Sequence, residues 1–158
     1  MSNWANAAGD KTVVDAYSGS GGIALWLSAK GKKVIAIEQF EPAMDDARLS
    51  AETNGITSCQ FLAGSVEEHA PQVVSKEKVH TFIIDPPRKG CSESVIKTLL
   101  KSQPEQIIYV SCNPSTLARD LERLEGYKIH DMRVIDMFPQ TQHIETAVYL
   151  KQTQSVEN

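Results

Sequence analysis

One cysteine of this chain lies where a thiol can act as a nucleophile. Cys112 follows a run of β-branched and aromatic residues that predicts a buried strand, and it precedes Asn113 and Pro114, which are typical of a helix start. A helix N-terminus stabilises a thiolate and lowers the thiol pKa from about 8.5. A lone cysteine is also commonly a small buried hydrophobic residue, so the position by itself leaves both interpretations open.

A carboxylate and a guanidinium lie in a stiff segment at the end of another predicted strand. Asp85 and Arg88 flank two consecutive prolines, Pro86 and Pro87, which restrict the backbone to an extended conformation. Both charged groups are therefore held beside the end of the sheet, where they can bind a ligand. The alternative is a structural ion pair between them.

A glycine-rich turn, residues 19–24, follows the first predicted strand, and Glu38 ends the second strand. A carboxylate at this distance can accept hydrogen bonds from two ribose hydroxyls. In a dinucleotide site the first glycine follows the strand directly, so that pyrophosphate meets the helix N-terminus, whereas here residues 15–18 intervene. This longer turn, which contains Asp15, favours a ligand with an ammonium group and no phosphate, such as S-adenosylmethionine. A tight turn without a ligand and a solvated Glu38 are the alternatives.

The elements that must position these residues alternate regularly along the chain. Strands are predicted at 12–15, 34–38, 60–63, 79–85, 106–111, 128–136 and 146–151, and helices at 22–29, 42–53, 66–74, 92–101 and 114–124. This order predicts an α/β fold with a mainly parallel seven-stranded sheet, helices on both faces and a closing antiparallel hairpin. In such sheets ligands bind beyond the carboxyl ends of the strands, and the segments described above all lie there.

Four segments that occur in order carry a family resemblance: Asp15–Gly21, Asp85–Gly90, Ser111–Asp120 and Asp136–Glu145. Together they resemble the catalytic domain of the bacterial RNA uracil-5-methyltransferases, which make 5-methyluridine in ribosomal or transfer RNA. The resemblance implies a Rossmann-like class I S-adenosylmethionine-dependent methyltransferase fold. It implies a catalytic domain over residues 1–151, with a disordered tail at 152–158.

The resemblance also implies roles for individual residues. Cys112 is expected to add to carbon 6 of uracil, which makes carbon 5 nucleophilic toward the sulfonium methyl group. Glu145 is expected to remove the proton from carbon 5, although its spacing alone would favour an exposed charge before the last strand. The residues expected to bind S-adenosylmethionine are Asp15, Tyr17, Gly19, Gly21, Glu38 and Asp85. Asp85 is also expected to contact uracil and Arg88 a substrate phosphate, while His143 receives no role.

The composition limits the class of protein. The chain has 158 residues, of which 41% are hydrophobic and 23% charged, as in one ordinary soluble domain. Because it has no apolar run of about 20 residues and no secretory signal, a cytoplasmic protein that does not enter a membrane is predicted. Cys59, Cys91 and Cys112 show no CxxC spacing, so neither a disulfide framework nor a metal site is predicted.

The net charge of −4 is unusual for a protein that grips RNA by its phosphates. Members of the family that it resembles carry, N-terminal to this domain, an RNA-binding barrel and a segment that supplies a glutamine to the site. We therefore expect the chain to be a piece of a longer enzyme that binds S-adenosylmethionine weakly and methylates RNA poorly. The expected partner is RNA, with ribosomal RNA preferred because the similarity is to ribosomal members of Gram-positive-type bacteria.

Three other functions are compatible with the motifs. An amino-methyltransferase would carry an aromatic residue where Arg88 stands, and it would need no cysteine. A nicotinamide-dependent oxidoreductase would bind NADH at the glycine turn. A non-catalytic binding module would keep its binding activity when Cys112 is replaced. A further departure from the family is Ser18, which stands where a cysteine is common.

Overall fold

The computed structural model describes Trp4, residues 11–136 and residues 144–153. All predicted strands and helices are present, and none of their ends differs from the prediction by more than two residues. The strands are β1 Thr12–Ala16, β2 Lys33–Glu38, β3 Cys59–Ala63, β4 Val79–Ile84, β5 Gln106–Ser111, β6 Tyr127–Ile135 and β7 Glu145–Gln152. The helices are α1 Gly22–Ser28, α2 Glu41–Thr53, α3 Val66–Lys76, α4 Glu93–Ser102 and α5 Pro114–Arg123.

The strands form one sheet in the order β3-β2-β1-β4-β5-β7-β6. The first five strands in this order pair in parallel, and β7 pairs antiparallel with both β5 and β6. The predicted mainly parallel sheet with a closing antiparallel hairpin is therefore confirmed. The strand order reverses between β1 and β4, and a crevice at such a switch point is the usual ligand site of an open α/β sheet.

Local hydrogen bonds explain why the helices begin and end where the sequence predicted. The hydroxyl of Ser92 accepts from the backbone N–H of Val95 at 3.4 Å and starts α4. The side-chain oxygen of Asn113 accepts from the N–H of Ser115 at 3.1 Å and starts α5. After α2 the chain turns at Gly55, whose φ of 64° is the left-handed conformation that ends many helices. The Asn113 cap fixes the point at which the chain leaves β5 and enters α5.

Helices cover both faces of the sheet, as predicted. Because successive residues of a strand point to opposite faces, each strand contributes to two cores. On the first face α1 buries Ala24 and Leu27 against β-strand residues that include Val13, Ile83 and Ile108, and α2 packs beside α1. On the second face α3, α4 and α5 cover the other set of strand side chains.

The ordered chain extends slightly beyond its predicted end at Lys151. Gln152 is the last residue of β7, and both the N–H and the hydroxyl of Thr153 donate to the carbonyl of Gly126 at 2.8 Å. Residues 152 and 153 therefore belong to the sheet and its neighbouring turn rather than to the expected tail, whose other residues lie outside the described ranges. None of the helices in the described ranges is long and apolar enough to cross a membrane.

Candidate active site

The turn between β1 and α1 requires glycine at Gly21. This residue has a φ of 78°, and a Cβ at this position would lie 2.9 Å from the Cβ of Ala47 in α2. Its N–H donates to the carbonyl of Ser18 at 2.9 Å, and its carbonyl accepts from the N–H of Leu25 at 2.8 Å. A side chain would therefore both strain the turn and separate α1 from α2.

Glu38 holds this turn in place. One of its carboxylate oxygens, Oε2, accepts from the backbone N–H of Gly19 at 2.9 Å. The other, Oε1, accepts from the N–H of Phe40 at 2.8 Å. Each oxygen keeps a further lone pair, so the carboxylate is fixed in orientation and can still accept hydrogen bonds from a ligand.

An open pocket of about 570 Å³ lies over the switch point of the sheet. This volume is typical of sites for ligands of nucleoside size. Its lining residues are Tyr17, Glu38, Gln39, Ser65, Glu67, Asp85, Pro87 and Lys89. Because the lining contains three carboxylates and one lysine, the pocket favours a ligand with positive charge.

Asp15 lies beneath the turn rather than in the lining of the pocket. It is only 2% exposed, and one of its oxygens, Oδ2, has no hydrogen-bond partner in the described structure. Burial raises the pKa of Asp15, a hydrogen bond from the N–H of Ala24 partly offsets this rise, and the charge of Asp85 adds to it, so that the pKa lies at about 7. A buried carboxylate with a free oxygen can attract a cation bound above the turn, but only when it is ionised.

We expect Asp15→Asn to stabilise the ligand-free protein more at pH 8 than at pH 5. The folded pKa lies above the unfolded value of 3.8, so the folded state of the unaltered protein binds a proton that the unfolded state has lost. Its stability therefore falls as pH rises from about 4 to about 7, and the variant is spared this loss. The gain in unfolding free energy of Asp15→Asn over the unaltered protein should be about 2 kcal/mol larger at pH 8 than at pH 5. Urea unfolding at both pH values measures it, and an equal gain at both would show that Asp15 carries no buried charge.

Ser18 has a buried hydroxyl without a hydrogen-bond partner in the described structure. Desolvating a hydroxyl without a compensating bond costs about 1–3 kcal/mol. We therefore expect Ser18→Cys to raise the unfolding free energy by about 1 kcal/mol in the absence of ligand, as measured by urea unfolding. Ser20, which is exposed, is the matched control position, and the same change there should have no effect. A destabilised Ser18→Cys variant would mean that the hydroxyl is satisfied.

The register of the sheet places Cys112 and Glu145 at the same end of the β5–β7 ladder. The last pair of this ladder is Ser111 with Thr146. Cys112 follows Ser111 in the bend after β5, and Glu145 precedes Thr146 as the first residue of β7. Both residues are partly exposed, which means that the thiol is not enclosed in the hydrophobic core.

Asp85 joins this pair from the neighbouring strand. It follows β4, and its N–H donates to the carbonyl of Ala16 at 3.3 Å, across the switch point. Its carboxylate reaches solvent, yet partial burial, together with a smaller effect of the negative charge of Glu145, raises its pKa to about 6. Asp85 therefore lies between the pocket, which it lines, and Glu145.

Arg88 is exposed, and its side chain has no ion pair within the described residues. Its carbonyl accepts from Asn113 Nδ2 at 3.1 Å and from the hydroxyl of Thr116 at 3.2 Å. The ion pair with Asp85 that the sequence left open is thus not formed, and the guanidinium faces solvent beside the start of α5.

Several residues of this site were not predicted. Ser65, Glu67 and Lys89 line the pocket, because the loops after β3 and β4 converge on the turn after β1. Ser65 could have been predicted, because a serine directly before α3 is a typical N-cap and this helix begins at the carboxyl ends of the strands. His143 and the rest of residues 137–143 lie outside the described ranges.

Comparison with known proteins gives one consistent result. The profile of the family described as tRNA (uracil-5-)-methyltransferase matches residues 1–153. A protein of Listeria innocua described as an uncharacterised RNA methyltransferase is 44% identical over 149 residues, which are 92% of this chain and 33% of that protein. One of Bacillus cereus with the same description is 42% identical over 151 residues, which are 94% of this chain and 33% of that protein. The chain thus spans about a third of the length of these curated relatives.

Among solved structures, the crystal structure of the Pyrococcus abyssi tRNA (uracil-54, C5)-methyltransferase in complex with S-adenosyl-L-homocysteine is similar throughout the fold. Its TM-score is 0.83 at 36% sequence identity, and the match covers 94% of this chain and 36% of that chain.

Proposed function

Because the chain belongs to the tRNA (uracil-5-)-methyltransferase family, we propose that it transfers a methyl group from S-adenosylmethionine to carbon 5 of a uridine in RNA. The reaction proceeds through a covalent bond between Cys112 and the base. The observation that carries this proposal is that an acidic pocket lined by Asp85 and the partly exposed thiol of Cys112 lie at the carboxyl ends of neighbouring strands, where the charge of Glu145 also acts on Asp85.

The pocket has the chemistry that S-adenosylmethionine requires. Its three carboxylates attract the positive charges of the sulfonium and the ammonium. Beneath the turn, Asp15 adds a buried oxygen without a hydrogen-bond partner in the described structure. Two backbone N–H groups orient the Glu38 carboxylate, which accepts hydrogen bonds from the ribose hydroxyls. Tyr17, Gly19 and Gly21 form the turn against which the ligand lies, and the P. abyssi relative was crystallised with the corresponding thioether. When bound, S-adenosylmethionine supplies a methyl group on a positively charged sulfur.

The side chains at the carboxyl ends of the strands carry out the remaining chemistry. The Cys112 thiolate adds to carbon 6 of uracil, and the electron pair of the 5,6 double bond becomes available at carbon 5. Carbon 5 would bond to the methyl carbon that the donor supplies, while the pair of the broken methyl–sulfur bond would stay on sulfur in the thioether that leaves. Glu145 then accepts the proton from carbon 5. The electron pair of that C–H bond restores the 5,6 double bond and expels the Cys112 thiolate. Asp85 lies between cofactor and base and contacts both, and Arg88 holds a phosphate of the RNA.

We propose a uridine of ribosomal RNA as the target and the cytoplasm as the location. Transfer RNA, which the family description and the P. abyssi relative name, is the alternative. Since the net charge of the chain is −4, most of the phosphate contacts are made by protein outside these 158 residues, and the activity of the chain alone is low.

Two measurements test the proposal. Titration calorimetry should show binding of S-adenosylhomocysteine and no binding of NADH, which excludes an oxidoreductase. Incubation with tritiated S-adenosylmethionine and either ribosomal or transfer RNA should place the label in 5-methyluridine after nuclease digestion. Label in an N-methylated base or in protein would overturn the proposal in favour of an amino-methyltransferase.

A further inference from the structure

A buried aspartate lies behind the segment that carries Asp85 and Arg88. Asp120 of α5 is 0% exposed, and its Oδ2 accepts from the N–H of Cys91 at 2.8 Å and from the Tyr109 hydroxyl at 2.7 Å. Its Oδ1 accepts from Arg119, from Nε at 2.9 Å and from Nη2 at 2.8 Å. Both oxygens are thus fully used, which is the condition under which an ionised carboxylate tolerates burial.

The same face of α5 contacts the backbone of this segment at three residues. The Arg119 guanidinium that pairs with Asp120 also donates to the carbonyl of Lys89 at 2.8 Å. Asn113 and Thr116 donate to the carbonyl of Arg88, and Asp120 accepts from Cys91. Residues 88, 89 and 91 are therefore tied to one helix, and that helix begins two residues after Cys112.

The approach is so close that the segment tolerates only glycine at its centre. Gly90 has a φ of 78°, and a Cβ there would overlap Asp120 Oδ2 and Arg119 Nη2. A side chain at this position would push the segment away from α5 even if the backbone could adopt the turn.

We propose that Asp120 is a positioning residue for methyl transfer. By anchoring residues 88–91 to the helix that follows Cys112, it holds Asp85, Pro87 and Lys89 as walls of the cofactor pocket and Arg88 beside the nucleophile. The inference rests on the proposed function, because the pocket matters only if it holds the methyl donor. It goes beyond that function by assigning a role to a side chain that touches neither cofactor nor RNA.

Tyr109→Phe and Asp120→Asn form a matched pair of tests. Each removes a buried hydrogen bond at the same carboxylate, so each should lower thermal stability. Tyr109 meets this segment at the Cys91 side chain, and within the described structure its hydroxyl donates to Asp120 and to no backbone group of residues 88–91. Asp120→Asn, in contrast, weakens both the bond from the Cys91 N–H and the Arg119 ion pair. Calorimetric titration with S-adenosylhomocysteine, run well below the unfolding midpoint, gives stoichiometry and Kd separately, and partial unfolding lowers only the stoichiometry.

We expect the Kd to rise roughly tenfold in Asp120→Asn and to stay within about twofold of the unaltered chain in Tyr109→Phe. If Asp120→Asn does not fold, Arg119→Ala takes its place, because the Arg119 side chain is 41% exposed. Its loss frees the Lys89 carbonyl and leaves Asp120 Oδ1 with Arg123 at 3.7 Å, and a rise in Kd of about threefold is then expected. Equal Kd values in all variants would reduce Asp120 to a structural residue and overturn the inference. Absence of binding by the unaltered chain would overturn the proposed function and this inference with it.

Discussion

Cys112→Ala is expected to abolish methylation of RNA, lowering the single-turnover rate by about 10⁴-fold or more. The thiolate is the only group in the proposed mechanism that can activate carbon 5, so no other side chain can substitute for it. The change should leave the fold intact, since Cys112 is partly exposed and lies between β5 and the Asn113 cap without belonging to either. Because both rates are measured on the same 158-residue chain, their ratio does not depend on how active that chain is without the rest of the enzyme.

The measurement combines a trapped adduct with a binding control. RNA that contains 5-fluorouracil cannot lose a proton from carbon 5, so the unaltered chain should form a stable adduct that peptide mass spectrometry locates at Cys112. Cys59→Ala is the matched control, since that thiol is also partly buried but begins β3, at the opposite end of the parallel strands from the candidate site, and this variant should retain the adduct. All three chains should bind S-adenosylhomocysteine equally. Full activity in Cys112→Ala would instead support an amino-methyltransferase, and unchanged inactivity throughout would favour a binding module.

The secondary structure and the location of the site could be predicted because both depend on local signals. A β-branched run followed by Asn113 and Pro114 specifies a strand end and a helix start within a few residues, and the cap that forms is the one expected. Parallel strands then bring their carboxyl ends to one edge without further information. The placement of Asp85, Cys112 and Glu38 could be predicted for the same reason, since each follows or ends a strand at its carboxyl end.

The contacts within the site could not be predicted, because they depend on pairing between distant residues. Nothing local shows that β7 inserts between β5 and β6, yet this insertion alone brings Glu145 to the end of β5 that Cys112 follows. The burial of Asp15 follows from the position of α1 above β1, and the sequence indicated only an acidic turn. Asp120 was visible as part of a motif, but its role depends on Tyr109 and Cys91, which are 11 and 29 residues away in the chain.

Glu145→Gln separates the two halves of the proposed reaction, which Cys112→Ala cannot do. Glutamine keeps the shape of the side chain but cannot accept the proton from carbon 5. We therefore expect methyl transfer to proceed while release of the product slows by about 10³-fold. Ordinary uridine-containing RNA should then accumulate as a methylated adduct on Cys112, which the unaltered chain does not accumulate. Denaturing gels with tritiated S-adenosylmethionine detect it as label that migrates with the protein.

The neighbouring carboxylate provides the control for this experiment. Asp85→Asn also removes a negative charge at the sheet edge, but Asp85 lines the cofactor pocket, so its loss should weaken S-adenosylhomocysteine binding and reduce adduct and product together. Glu145→Gln should leave that binding unchanged, because Glu145 does not line the pocket and affects Asp85 only by raising the pKa of its carboxyl group. If Glu145→Gln releases 5-methyluridine at the unaltered rate, another group accepts the proton. The register of β5 and β7 would then bring Glu145 to the same end of the ladder as Cys112 without making Glu145 the base.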